Sequence, residues 1–142
     1  MILLRMFLFI IVFGVSACTS NTEYLPEGKN LKKATIGIPY FSKIYILGGG
    51  VIGGNIAGIP EKKAGIVTPE DAGISLRHCQ LPEWRIKNMK PKDSNNYNCI
   101  EIYGTPTKPG VITIEISGRM YGSMLASSKK FSKEYTIKVV TP

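Results

Sequence analysis

Val111-Ile112-Thr113-Ile114-Glu115-Ile116-Ser117 alternates without a break. Successive side chains of a β-strand point to opposite faces, so Ile112, Ile114 and Ile116 share one side, and Thr113, Glu115 and Ser117 the other. That pattern predicts a strand with one dry and one wet face; a parallel strand buried on both faces would read as a continuous apolar run. Just upstream, Gly104-Thr105-Pro106-Thr107-Lys108-Pro109-Gly110 places two prolines and two glycines in seven residues, which makes a tight connection. On its far side Cys99-Ile100-Glu101-Ile102-Tyr103 alternates again, with Ile100 and Ile102 inward and Tyr103 exposed. Downstream, Tyr135-Thr136-Ile137-Lys138-Val139 repeats the pattern and is expected to be the last strand.

Earlier runs extend the series: residues 34–38, 42–47 (SKIYIL), Ile74-Ser75-Leu76 and Trp84-Arg85-Ile86. No stretch sustains a 3.6-residue apolar period. Short strands spaced about 8–15 residues apart, with Gly and Pro between them, predict an all-β antiparallel sandwich. Trp84 is assigned to its core, where a central tryptophan commonly packs in such sandwiches; the alternative is a recognition surface of Trp84, Tyr97, Tyr103 and Tyr121 beside Arg85, Lys87 and Arg119.

The segment from Ile102-Tyr103-Gly104-Thr105-Pro106-Thr107 through the 111–117 strand to the last strand, with Leu81-Pro82 upstream, resembles the immunoglobulin-like domains of bacterial surface proteins. The similarity covers roughly residues 74–140. It implies an immunoglobulin-like fold and a spacer, adhesion or binding role without catalysis. The chain departs from that family at Glu83-Trp84, where Gly-Leu usually follows Leu-Pro, and in its Cys79 and Cys99.

The start of the chain carries a different signal. Arg5 supplies positive charge, residues 6–15 (MFLFIIVFGV) are apolar, and the small residues Ser16 and Ala17 follow. This is the order of an export signal, and the run is shorter than the roughly 20 residues of a transmembrane helix. Val15-Ser16-Ala17-Cys18 resembles the bacterial lipobox. That resemblance implies removal of residues 1–17, diacylglycerol on the Cys18 sulfur and often an acyl chain such as palmitate on the new amine. Each buried CH₂ contributes about 0.8 kcal/mol, so two or more chains anchor stably. The alternative is an ordinary secretory signal ahead of an incidental cysteine. Thr19, in place of Asp, implies the outer membrane in a host that has one. The expected organisation is a signal peptide over 1–17, a lipidated Cys18 and tether over 18–30, and the sandwich over 31–142.

The chain carries a formal charge of +8, which falls to +7 without Arg5. Outside the cytoplasm a basic surface points to anionic lipid, a cell-wall polymer or an acidic protein rather than nucleic acid; a basic domain with no such partner is the alternative. With Cys18 on lipid, Cys79 and Cys99 form an even pair, which implies a disulfide in an exported chain. A free thiol pair or a metal site are the alternatives. The metal reading is poor, because His78 is the single histidine and no CxxC or HxxxH spacing occurs.

Lys43-Ile44-Tyr45-Ile46-Leu47 leads into Gly48-Gly49-Gly50-Val51-Ile52-Gly53, which mimics a strand followed by a dinucleotide-binding GxGxxG. The helix that must follow would contain Gly54, Gly58 and Pro60, at about 1 kcal/mol per glycine and about 3 for the proline. Repeated βαβ units are missing as well. The expected role is a glycine-rich turn that lets backbones approach closely. His78 and Cys79 are neighbours on a strand and point apart, so they make a poor nucleophile–base pair; His78 is expected at the surface or an edge. No catalytic set is visible and no cofactor is expected.

Tyr103, Arg119, Tyr121, Lys129 and Lys130 are the candidate binding residues, because aromatic and arginine side chains anchor interfaces. The loop around residues 120–130 is the first choice of contact site. The expected function is a membrane-anchored, non-catalytic binding or structural module of the cell envelope, outside the cytoplasm and facing the periplasm or surface. The alternative is a protective lipoprotein of immunity or exclusion type that neutralises an incoming protein.

Overall fold

A computed structural model describes residues 22–53, 63–122 and 128–142. The expected signal peptide, Cys18 and the start of the expected tether lie outside the described residues, as do all of residues 54–60 and residues 123–127 of the expected contact loop. Among the described residues there are eight strands: β1 (Glu23–Leu25), β2 (Ala34–Thr35), β3 (Tyr40–Leu47), β4 (Ile66–Thr68), β5 (Ile74–Gln80), β6 (Asn95–Gly104), β7 (Gly110–Met120) and β8 (Lys129–Val140). A helical turn, α1 (Glu83–Ile86), and a 3-10 turn (Pro91–Asp93) join β5 to β6.

The strands form two sheets, ordered β1-β3-β6-β5 and β2-β8-β7-β4. All pairings are antiparallel except β2 with β8. In chain order this is the immunoglobulin arrangement: the first four-stranded sheet matches strands A-B-E-D, and β4, β7 and β8 match C, F and G. The first strand is divided, with β1 in one sheet and β2 in the other.

The alternation that predicted the strands also fills the core. Ile44, Ile46, Ile100 and Ile102 of the first sheet face Ile112, Ile114, Ile116, Tyr135, Ile137 and Val139 of the second, all buried. Removing apolar area from water, at about 25 cal/mol per Å², is the main stabilising term. Gly118 lies opposite Phe131, and a methyl group there would come within 2.8 Å of the Phe131 ring. The missing side chain makes room for the aromatic ring.

Residues 22–30, assigned above to a tether, are instead largely structured. β1 pairs with β3, and Asn30 bridges to Thr136. The Tyr135 hydroxyl donates to the Pro26 carbonyl at 2.6 Å, and the Tyr40 hydroxyl to the Lys32 carbonyl at 3.0 Å. Composition pointed to a linker because three-residue edge strands bury little apolar surface of their own. The neighbouring strand and the tyrosine hydroxyls supply the partners. Trp84-Arg85-Ile86 is also not a strand but part of α1, where Pro82 offers its carbonyl to the Arg85 and Ile86 amides.

Register places the chain ends and loops. Glu23 pairs with Leu47, Gln80 with Asn95, and Met120 with Lys129. One end of the sandwich, the entry end, therefore gathers Thr22, the glycine turn after β3, the β5–β6 connection and the β7–β8 hairpin. The far end carries the 105–109 connection and Pro142. At the entry end the two sheets are tied together. The Ile52 amide donates to the Arg119 carbonyl at 2.8 Å, and the Tyr121 amide to the Gly50 carbonyl at 2.9 Å. Asn98 donates to the carbonyls of Ile46 and Gly49 and accepts from the Val51 amide.

Candidate contact surfaces

The inward set of β3 and β6 leaves a complementary outward set. On the first sheet Phe41 lies opposite Tyr103, and Tyr103 opposite Ser75. In the next row Lys43 lies opposite Glu101, and Glu101 opposite Arg77. The Arg77 Nε donates to Glu101 Oε2 at 2.6 Å, and the guanidinium stands 4.1 Å from the Tyr103 ring centroid. Lys43 Nζ reaches the other carboxylate oxygen at 4.0 Å. The hydrogen bond to Glu101 raises the Arg77 pKa above its ordinary value, and the same bond holds the guanidinium over the ring. Phe41, Tyr45, Leu47 and Leu25 of this face are exposed, each by 40% or more. The outer face of the second sheet is mostly polar, with Ser117 opposite Ser132, Glu115 opposite Glu134 and Thr113 opposite Thr136, and it exposes Ile66 and Val111 but no aromatic side chain among the described residues.

Cys79 and Cys99 form a disulfide across 20 residues with Cα atoms 5.2 Å apart. It links β5 and β6, adjacent strands of one sheet. The antibody-type bridge joins the two sheets. The pairing slips between His78 and Cys79, moving from Ile100 to Asn96. His78 lies on the edge strand β5, as expected, but its ring is half-buried and meets Tyr97 edge-on at 4.6 Å. The expected surface or edge position is met by the edge strand, with the ring itself turned inward: residues of even number on β5 face the interior up to the slip, and His78 belongs to that set.

Trp84 is 79% exposed, so its assignment to the core is wrong. The core aromatics are Tyr135, Tyr40 and Phe131. Trp84 stands on α1, inside the connection closed by the disulfide, with Arg85 5.9 Å from its ring centroid. Met89 follows at 44% exposure.

The five candidate binding residues do not form one site. Arg119, Tyr121, Lys129 and Lys130 gather at the entry end. Tyr103 lies near the far end of the first sheet, partly covered by Arg77 rather than open. Lys129 and Lys130 belong to β8, not to a loop, and Arg119 lies directly opposite Lys130. Sequence reasoning missed Phe41, Tyr45 and Arg77. Their signal was the second, outward half of the β3 and β5 alternation, hidden because Tyr and Phe read as core residues.

Burial pushes the Tyr40 and Tyr135 hydroxyls up to about 12, so both stay neutral donors. The hydrogen bond from Lys108 holds the Asp71 carboxyl below its ordinary value at the far end. Among the described residues, no three His, Cys, Asp or Glu side chains are grouped to hold a metal ion. No helix among them is long and apolar enough to cross a membrane. Comparison with protein families, curated proteins and solved structures finds no match.

Proposed function

We propose that the protein is a lipid-anchored module of the bacterial cell envelope, fixed through Cys18, that binds a protein partner without catalysing a reaction. The observation that carries the binding role is the outer face of the first sheet. Phe41 and Tyr45 lie there beside the Lys43–Glu101–Arg77 ladder and the Arg77-covered ring of Tyr103. Exposed apolar groups next to ordered charge mark interaction surfaces, and aromatic and arginine side chains dominate their energetics. The disulfide and the lipobox-like start both fit a place outside the cytoplasm.

The test is site-specific photo-crosslinking in the native host. A crosslinking residue at Phe41 or Tyr45 is expected to give a discrete adduct in the membrane fraction, while one at Glu134 on the opposite sheet gives none. Equal labelling at all three positions, or at none, rejects the assigned face.

A further inference from the structure

The entry end differs from the far end in charge. The β5–β6 connection brings Arg85, Lys87 and Lys90, and the hairpin strands bring Arg119, Lys129 and Lys130, against the three acids Glu23, Glu83 and Asp93. The far end carries Lys32, Lys33, Lys108 and Lys138 against Glu70 and Asp71, so both ends are basic and the entry end is the more so. Among the described residues the ion pairs engage Lys29, Lys43, Arg77 and Lys108, and none of the entry-end cations. Arg119 faces Lys130 across the hairpin, and like charges placed directly opposite destabilise a sheet. An anion bound between the two would offset that cost.

Apolar side chains accompany these charges. Trp84 and Tyr121 are 79% and 60% exposed, and Met89 is exposed too. Tryptophan and tyrosine favour the headgroup level of a bilayer, where an apolar ring and a polar edge are both accommodated.

Chain length places this end. Thr22 lies four positions after Cys18, and four steps of fully extended chain reach at most about 14 Å. The Debye length at physiological ionic strength is about 8 Å. Anchored at Cys18, the domain must keep its entry end within one to two screening lengths of the lipid surface, where basic residues are attracted to anionic headgroups.

We infer that the entry end is a second membrane contact. Trp84, Met89 and Tyr121 enter the headgroup region of anionic phospholipid, and Arg85, Lys87, Lys90, Arg119, Lys129 and Lys130 bind its phosphates. This rests on the proposed lipidation of Cys18. It fixes the orientation of the sandwich, because docking by the entry end stands the strands away from the bilayer and leaves the Phe41–Tyr103 face open to a partner.

Trp84 is the only tryptophan in the chain, so its emission reports the contact directly. The purified lipidated protein is reconstituted into vesicles of phosphatidylglycerol and phosphatidylethanolamine, and separately into phosphatidylcholine alone. In anionic vesicles the emission is expected to shift to the blue and to be quenched by phospholipid brominated near the headgroup. The Arg119→Glu/Lys130→Glu variant alters only exposed side chains and is checked by circular dichroism. Counting only the two charges removed, it is expected to lower the docked-to-undocked ratio about 30-fold, at about 5-fold per charge near the surface. The N-terminal peptide of the same sample is weighed. Acylated protein whose Trp84 stays solvent-like and unquenched in anionic vesicles overturns this inference and leaves the anchor standing. Protein without acyl groups overturns the anchor itself.

Discussion

Removing the Cys79–Cys99 bond is expected to lower stability by about 3 kcal/mol. The magnitude follows from the 20-residue separation of the two cysteines: closing a loop of that size restricts the unfolded chain, and the chain-entropy relation gives about 3 kcal/mol at 25 °C. Native contacts offer little compensation. The closed connection carries α1, which has no buried residue. It is held chiefly by the Leu81 amide donating to the Ser94 carbonyl at 2.9 Å and by the Ser94 hydroxyl donating to Pro91. Against a typical total of about 5–15 kcal/mol the loss is large, and for a domain of this size it converts to roughly 10 °C in Tm. The assay is thermal unfolding followed by far-ultraviolet circular dichroism. The oxidised protein is compared with the Cys79→Ala/Cys99→Ala variant, since both sulfurs are buried and reductant reaches them slowly. Coincident melting curves would refute the reasoning, because they would mean that the linkage does not restrict the unfolded chain.

Three further outcomes follow from particular residues. Gly104→Ala is expected to destabilise by about 1–3 kcal/mol or more in chemical denaturation, because its φ is +121° and a methyl group would lie 2.1 Å from the Gly73 carbonyl oxygen. Trp84→Ala is expected to leave the melting temperature nearly unchanged, since the side chain is mostly in water; a loss of several degrees would place it in the core after all. Alkaline pH should unfold the domain progressively. The folded-state pKa values of Tyr40 and Tyr135 are raised to about 12 from 10.0, so the unfolded chain loses those protons first. Their contribution is complete below pH 10 and is lost as pH rises toward 12. A melting temperature that stays flat across that window would contradict the burial of both hydroxyls.

The late strands were legible because each has one wet face. β7 and the second half of β8 alternate with isoleucine on one side only, and the Gly104–Gly110 punctuation marked the turn between β6 and β7. The first turn of β6 was not legible, because Asn95-Asn96-Tyr97-Asn98 has no apolar alternation and owes its extended form to pairing with β5 and to the Asn98 hydrogen bonds. β1 and β4 have three residues each and exist only through long-range partners. The cysteine pair was readable from parity, but not that it joins neighbouring strands, since that depends on register. Trp84 was misplaced because a large aromatic residue was taken for core. The proline at 82 and the disulfide bracket put it on an outer turn instead. Four of the five candidate contact residues come together only because the β7–β8 register brings Arg119 and Lys130 face to face. The Phe41–Arg77–Tyr103 cluster needs three strands from separate parts of the chain.

The lipid anchor is the central proposal, and the mass of the mature N-terminal peptide, from protein extracted from host membranes, tests it most directly. The expected result is a chain beginning at Cys18 and heavier than its amino-acid mass by a diacylglycerol and an amide-linked acyl group. A chain that still carries residues 1–17, or that begins at or near Cys18 with an unmodified thiol, would contradict it.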